Sequence, residues 1–429
     1  MSNVVIVSAK RTAVGAFGGS LKDVAAKDLG ALVMREVLLS CGLRPEMPDH
    51  AMADAPDRIK PKELAPVEKE YFSWPEGNKG VAIDQIVVGN VLQAGQGQNT
   101  GRQAMIRAGI HKETPAYTVN IVCGSGLKAI AIASAAIKAG DSEVVLAAGM
   151  ENMSQVPFAL PDARWGYRMA MPYGKISDLM VLDGLYEGFY GYHMGVTAEN
   201  IAELYGITRE EQDRLGVESH RRAIEATKKG TFKDEIVPVV IPRKKGEPLI
   251  FDKDERPMET DLEKMGKLAT VFKKGGTVTA GNASGINDAA AATLLMSEEK
   301  AKALGLKPLA RVKGYALGGI DPAYMGLGPI PACRKLFRIT GTSVKDYGLI
   351  ELNEAFASQA IACVRELGMD DSIVNVNGSG ISIGHPIGAT GCRIIVTLAH
   401  EMKRRGTGLG LASLCIGGGM GMAMAIELV

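Results

Sequence analysis

The chain carries almost no net charge: 49 basic and 48 acidic residues leave a formal +1. A broad electropositive face for a nucleic-acid backbone is therefore not expected, and neither is a nucleic-acid partner. Cysteine is scarce, six in 429 residues, with no CxxC pair and no spacing against histidine of the kind that holds a metal. Reduced thiols in a cytoplasmic setting are expected, with no bound metal. No run of ~20 uninterrupted apolar residues occurs, so no membrane-spanning helix is expected. The first residues lead directly into an apolar strand, Val4-Val5-Ile6-Val7, without a basic segment, an apolar segment or an Arg/Ser-rich presequence. No targeting peptide is expected there.

Glycine, by contrast, is abundant at 52 residues, which implies many tight turns, and hydrophobic residues make up 46%. A chain of this length exceeds the size at which one core stops growing, so two or three domains are expected. Strand and helix patterns alternate through most of it. Residues 127–140 are apolar on nearly every face and end in Gly140, as a buried helix with a glycine C-cap does. The continuous apolar run 143–149 reads as a strand covered on both faces. Residues 411–415 and 422–428 read as two strands of a hairpin.

Four segments carry chemistry. Cys123 stands where the apolar strand 118–122 meets that buried helix, with Gly124 and Gly126 after it. A helix N-terminus favours a thiolate and lowers a thiol pKa from ~8.5 toward ~3.5–7.5; the two glycines are expected to leave space for a substrate. His385, one of six histidines, lies in the glycine-rich run 375–391 just before a helix. An imidazole of ordinary pKa near ~6.5 can take a proton from a thiol and return it. Cys415 ends a strand and runs into Gly417-Gly418-Gly419, whose bare N–H groups can bind an oxyanion. Asn353, in Glu351-Leu352-Asn353-Glu354, stands at a strand-to-helix junction, to cap the helix or position a water. Taken singly, each also has an ordinary structural explanation.

Together, with the first strand at 4–12 and the run 89–99, these segments resemble the thiolase family over nearly the whole chain. The resemblance implies an α/β fold: a thiolase-like five-layered α-β-α-β-α core of two similar halves with an inserted loop domain. Residues 1–155 would form the N-terminal half, completed by 287–308; residues 156–286 the loop domain that covers the active site and binds CoA; residues 309–429 the C-terminal half. Residues 44–83 are a Pro- and charge-rich insertion without a counterpart in that pattern, expected as a surface excursion whose Tyr71, Phe72 and Trp74 pack on a neighbouring subunit or near the coenzyme entrance. Thr208 and Glu211 have the spacing of a capping box, so a helix starts there.

The implied activity is reversible condensation of two acetyl-CoA to acetoacetyl-CoA plus CoA, by ping-pong acyl transfer with no tightly bound cofactor. Cys123 would be the nucleophile, His385 its base, and Cys415 the group that removes the methyl proton. His385 with a water on Asn353 would form one oxyanion hole, and the N–H groups of Cys123 and Gly417 the other. For CoA the resemblance implies Ser284 on the pantetheine, His193, Met194 and Leu185 beside the acyl pocket, Met325 and Phe356 at its apolar end, and Arg256 as a displaced coenzyme arginine. Cys392 reads as core. A homo-oligomer, a dimer or a dimer of dimers, is implied too. A 3-ketoacyl-CoA thiolase of broader chain length would use the same catalytic residues. A carrier-dependent ketoacyl synthase would lack a second cysteine like Cys415, and a non-enzymatic CoA-binding scaffold would be expected to have lost a catalytic residue.

Overall fold

The strands Val144–Asn152 and Asn287–Ser297 are buried at every position, as expected of strands with helices on both faces. They pair side by side in a computed structural model that describes residues 3–59, 64–161, 163–166 and 175–429. The first half contains β1 (Val4–Thr12), α1 (Ala26–Leu39), β2 (Gln85–Gly89), α2 (Thr100–Arg107), β3 (Ala116–Val119), α3 (Ser125–Ala139) and β4 (Val144–Asn152). After β4 come α4 (Met194–Tyr205), α5 (Arg209–Lys228) and β5 (Asn287–Ser297). The second half contains β6 (Ala310–Gly319), α6 (Pro329–Thr340), β7 (Leu349–Leu352), α7 (Ala357–Leu367), α8 (Ile387–Arg405), β8 (Leu409–Ile416) and β9 (Met420–Glu427).

The two halves repeat one topology. In the first, the strand order is β3-β2-β4-β5-β1, with β3, β2 and β4 parallel and β5 antiparallel to both its neighbours. In the second, a parallel bridge at Val374 leads to β7, then β8, then β9 and β6, with β7 and β8 parallel and β9 antiparallel to both neighbours. A short pairing of Val5 and Ile6 with Arg311 and Ala310 joins the two sheets.

Three apolar clusters separate five layers. Leu29 and Met34 of α1 and Met105 of α2 pack on the outer face of the first sheet. Leu127 and Ile130 of α3, with Ile394 and Leu398 of α8, fill the space between the sheets. Leu336 of α6 and Cys363 of α7 cover the second sheet. The window Val122–Ala139 is long and apolar enough to cross a membrane, yet α3 is the middle layer and its apolar faces are taken up by both sheets and α8. Cys392 is buried in the same layer.

The capping box at the start of α5 forms: Thr208 accepts from the Glu211 N–H, and the Glu211 carboxylate accepts from the Thr208 N–H at 2.7 Å. The insertion is shorter and more firmly docked than a free surface excursion. Leu43–Glu46 pairs in parallel with Lys79–Ala82, closing it at its base. Trp74 Nε1 donates to the Gly109 carbonyl at 2.8 Å under the Arg35 guanidinium, and Phe72 lies 4.8 Å from the His111 ring. Tyr71 lies under Arg107. These aromatics pack on their own chain, beside α1 and the end of α2.

Candidate active site

The turn between β3 and α3 is strained. Val122 has φ +48°, a left-handed conformation that a β-branched side chain rarely adopts. Its N–H donates to Asn120 Oδ1 at 2.9 Å and its carbonyl accepts from Ser125 Oγ at 2.6 Å, so local hydrogen bonds hold the turn. The backbone N–H groups of Gly417 and of Cys123 itself face the Cys123 sulfur. The thiol is nonetheless not acidic. Burial pushes it up to about 11, and Glu151 adds to this, against the pull of those two donors. The expectation of a thiolate favoured by the helix terminus is thus overturned, because desolvation outweighs the nearby donors.

The two glycines also serve a different purpose from the one expected. A Cβ on Gly124 would lie 2.4 Å from Ile416 Cδ1, and one on Gly126 2.7 Å from the Cys392 N. They admit β8 and α8, not a substrate. Gly391 reciprocates, since a Cβ there would lie 2.3 Å from the Leu127 N.

His385 lies directly before α8. Its Nδ1 is 2.7 Å from Thr390 Oγ1, which itself donates to the Pro386 carbonyl at 2.9 Å. With the hydroxyl proton so used, this network assigns the imidazole proton to Nδ1 and leaves Nε2 as a bare acceptor. Nε2 is buried and has no protein partner. Burial, with help from Arg393, pulls the imidazole down to about 3, so it is neutral at physiological pH. The resting pair is an uncharged thiol and an uncharged imidazole. Asn287 Oδ1 accepts from the backbone N–H of His385 at 2.9 Å, and Gly384 has φ +122°, where a Cβ would lie 2.6 Å from the Asn287 amide carbon.

Asn353 follows β7 and its amide nitrogen is 3.5 Å from His385 Nδ1. It does not cap α7, whose N-cap is Phe356. Its Oδ1 is buried without a protein partner, an acceptor open to a water. Cys415, on β8, packs with Met194, Met325, Phe356 and Ala283. Its thiol is held well above the ordinary range by burial and then by Cys123, so the two sulfurs are electrostatic neighbours. A Cβ on Gly417 would lie 3.1 Å from Met194 Cε.

Around this centre, His193 caps α4, its Nδ1 accepting from the Gly195 N–H at 3.0 Å, and its ring stacks on Phe272 with centroids 4.6 Å apart. Phe272 meets Phe356 edge-on. Leu185 packs with Leu92, Met180 and Ile387 against Cys123. The Ser284 N–H donates to the Ala355 carbonyl at 2.9 Å. Arg256 departs from the coenzyme role expected of it: its Nε donates to the Ile381 carbonyl at 2.6 Å and its Nη2 to the Ala283 carbonyl at 3.1 Å. The guanidinium is turned inward and ties the loop of Ser284 to the loop of His385.

Sequence reasoning missed Glu151, Asn287, Thr390 and Phe272. The Thr390 hydroxyl, five residues past a loop histidine, was the one legible signal. It also missed a cluster in which Glu68, His111 and Glu113 bring possible metal ligands within 4.8 Å of one another. Lys112 already holds that place, its ammonium 3.2 Å from Glu68 and 2.7 Å from Glu113, so the cluster is an ion-pair group.

A doubled five-layered α/β core, with two thiols, an imidazole and an amide where its halves meet, defines a class of acyl-transfer folds. The chain belongs to the thiolase family. Its residues 4–54 and 77–299 match the model for "Thiolase, N-terminal domain", and residues 306–428 that for "Thiolase, C-terminal domain". The break at 55–76 is narrower than 44–83 because the paired strands at the base of the insertion belong to the family pattern. The acetyl-CoA acetyltransferase of Syntrophomonas wolfei subsp. wolfei is 54% identical over 426 residues, 99% of this chain and 98% of that protein. That of Escherichia coli is 48% identical over 430 residues, 100% of this chain and 99% of that protein. Among solved structures, the Bacillus anthracis acetyl-CoA acetyltransferase is similar with a TM-score of 0.89 at 42% identity, covering 100% of this chain and 99% of its own. Human mitochondrial 3-ketoacyl-CoA thiolase gives a TM-score of 0.86 at 38% identity, with the same coverage.

Proposed function

We propose that the chain is an acetyl-CoA C-acetyltransferase, condensing two acetyl-CoA to acetoacetyl-CoA and CoA, and cleaving the product in reverse, through an acetyl group carried on Cys123. The observation that carries this reading is a pair of neighbouring thiols, one of them, Cys123, packed on the cluster of Ile387, two residues after a buried neutral imidazole whose Nε2 is open. In the first half-reaction the Cys123 sulfur attacks the thioester carbonyl, His385 Nε2 takes the thiol proton, and CoA leaves with a proton returned from the imidazole. The N–H groups of Cys123 and Gly417 receive the tetrahedral oxyanion. In the second, Cys415 passes its thiol proton to His385 Nε2 and, as a thiolate, removes a methyl proton from the acceptor thioester; the enolate carbon attacks the acetyl carbonyl, the acetyl–sulfur bond to Cys123 breaks, and the released Cys123 thiolate takes the proton from Nε2. A thiol held well above its ordinary range is, once deprotonated, a strong base, which suits a weakly acidic C–H bond. His385 and a water on Asn353 Oδ1 stabilise the enolate.

The wall of Met194, Met325 and Phe356 beside Cys415 supports a short acyl group, with His193 and Leu185 toward the pantetheine and Ser284 on the loop next to Phe356. A broader-chain 3-ketoacyl-CoA thiolase is the second reading, favoured by the similarity to the human enzyme of that name. Turnover of long 3-ketoacyl-CoAs separates the two. A homo-oligomer is supported by β3, a sheet edge with no further strand beyond it among the described residues. Six unpaired thiols suit a cytoplasmic location.

The test is intact mass spectrometry with peptide mapping after mixing with acetyl-CoA. An acetyl group on Cys123 that CoA removes, absent from Cys123→Ser, is the expected result. A folded wild-type protein that stays unmodified would sink the reading and leave a CoA-binding scaffold.

A further inference from the structure

Acyl transfer as described leaves one fully buried carboxylate beside the nucleophile unused. Glu151, near the end of β4, has no exposed surface. Its Oε1 accepts from Asn90 Nδ2 at 2.7 Å and from the Leu92 N–H at 3.2 Å; its Oε2 accepts from the Val91 and Gly388 N–H groups, both at 3.0 Å. All four partners are donors, so the cradle is built for an anion. Asn90 is itself fixed by a bond from Thr100 Oγ1 at 2.8 Å. Gly388 has no room for a side chain, since its Cβ would lie 2.6 Å from Glu151 Oε2.

The four donors come from two segments that border the catalytic pair. Val91 and Leu92 pack with Ile387 against Cys123. Gly388 is the second residue of α8, three residues after His385. One carboxylate therefore joins the loop under the nucleophile to the helix that carries the base. Its neighbours on β4, on the 90–92 loop and at the start of α8 are uncharged; the titratable group it acts on is Cys123, whose thiolate it disfavours.

We propose that Glu151 is a positioning residue for the acyl transfer read above: it clamps the loop beneath Cys123 to the helix after His385. The proposal rests on that reading but is tested separately. The assays are run at pH 8, above the value of about 7 to which burial pushes this carboxyl.

Glu151→Gln conserves volume but turns an NH2 group toward two of the four donors. Two readouts separate positioning from packing. The pH profile of iodoacetamide alkylation of resting Cys123, followed by intact mass, shifts to lower pH in Glu151→Gln, because a negative charge has been removed. Thiolysis kcat falls roughly tenfold to hundredfold, as for a small misplacement of reacting groups, while KM stays within about twofold of wild type. If Glu151→Gln does not fold, Glu151→Asp keeps the charge and shortens the reach: its alkylation profile stays at the wild-type position and its kcat falls. A variant with wild-type kcat and wild-type alkylation profile overturns the inference while an acetylated wild-type Cys123 stands. A wild-type Cys123 that never acetylates overturns the parent reading instead.

Discussion

The two sulfurs of the active site are both weak acids at rest, and this sets how the first step must run. Burial raises the Cys123 thiol to about 11 and lowers the His385 imidazole to about 3, so both groups favour their uncharged forms at neutral pH. The proton crosses only when a carbonyl is in place to receive the sulfur. Alkylation of wild-type Cys123 by iodoacetamide is accordingly expected to keep accelerating beyond pH 9, since the proton leaves only as pH rises toward the folded value. A plateau below pH 8 would reveal a preformed thiolate. Met194 offers a second residue-scale expectation. It packs against Cys415 and fills the space that a side chain at Gly417 would need. Truncation in Met194→Ala should open the acyl end, raising kcat/KM for a six-carbon over a four-carbon 3-ketoacyl-CoA by roughly 10- to 200-fold, the range a methylene-sized pocket change supplies. An unchanged ratio would remove Met194 from the acyl pocket.

At the scale of elements, α3 and α8 approach until backbone meets backbone, through Gly126 on one and Gly391 on the other. Their N-terminal ends carry Cys123 and His385, so the crossing sets the distance between nucleophile and base. Gly391→Ala forces a methyl to within 2.3 Å of the Leu127 N. It is expected to cost about 1–3 kcal/mol, as overpacking does, and to lower kcat more than it raises KM. Equilibrium denaturation alongside kinetics checks both; stability and kcat both at wild-type values would show that the helices can part freely. This contact was illegible in the sequence, where Gly126 reads only as the second glycine after a cysteine. What the sequence did carry were local signals: the strand before Cys123, the glycine-rich run to His385, the C-terminal hairpin and the capping box at Thr208. What it hid depends on partners far along the chain. Glu151 ends an apolar strand and acquires meaning from Asn90 and Gly388. Asn287 opens another strand, and its amide receives the backbone of a residue 98 positions later. Arg256 has the look of a coenzyme ligand until its carbonyl partners are seen. The thiol at Cys123 was misjudged because helix position is a sequence property whereas desolvation belongs to the folded interior.

For the molecule as a whole, the same desolvation acts on buried acids and buried bases in opposite senses, and the balance fixes where the fold is most stable. Burial raises Glu151 from 4.5 to about 7 and Glu351 to about 8, the latter against the opposing pull of Arg393, and it raises Glu354 and Asp288 as well. These groups hold protons in the folded chain that the unfolded chain releases near pH 4.5, so their contribution is complete below that pH and is lost as pH rises through the folded values. Burial also lowers His385 from 6.5 to about 3 and His220 to about 4, with His111 and His193 shifted the same way. The unfolded chain binds protons on these histidines below 6.5 while the folded chain does not, so their contribution is complete above 6.5 and is lost as pH falls through the folded values. Between about 4.5 and 6.5 the two slopes oppose each other; above 6.5 the raised carboxyls act, and below 4.5 the histidines act together with carboxylates held below their ordinary value, such as Glu211 at about 2 and Glu218. The denaturant midpoint is therefore expected to be highest near pH 5.5 and lower at both pH 8 and pH 4. The alkaline loss is traceable to particular groups, since Glu351→Gln, which carries no titrating proton, should flatten the slope between pH 6.5 and 8. A midpoint that climbs steadily from pH 5.5 to 8 would mean that Glu151 and Glu351 have already lost their protons below pH 5.5, each held by its neighbours strongly enough to overcome burial.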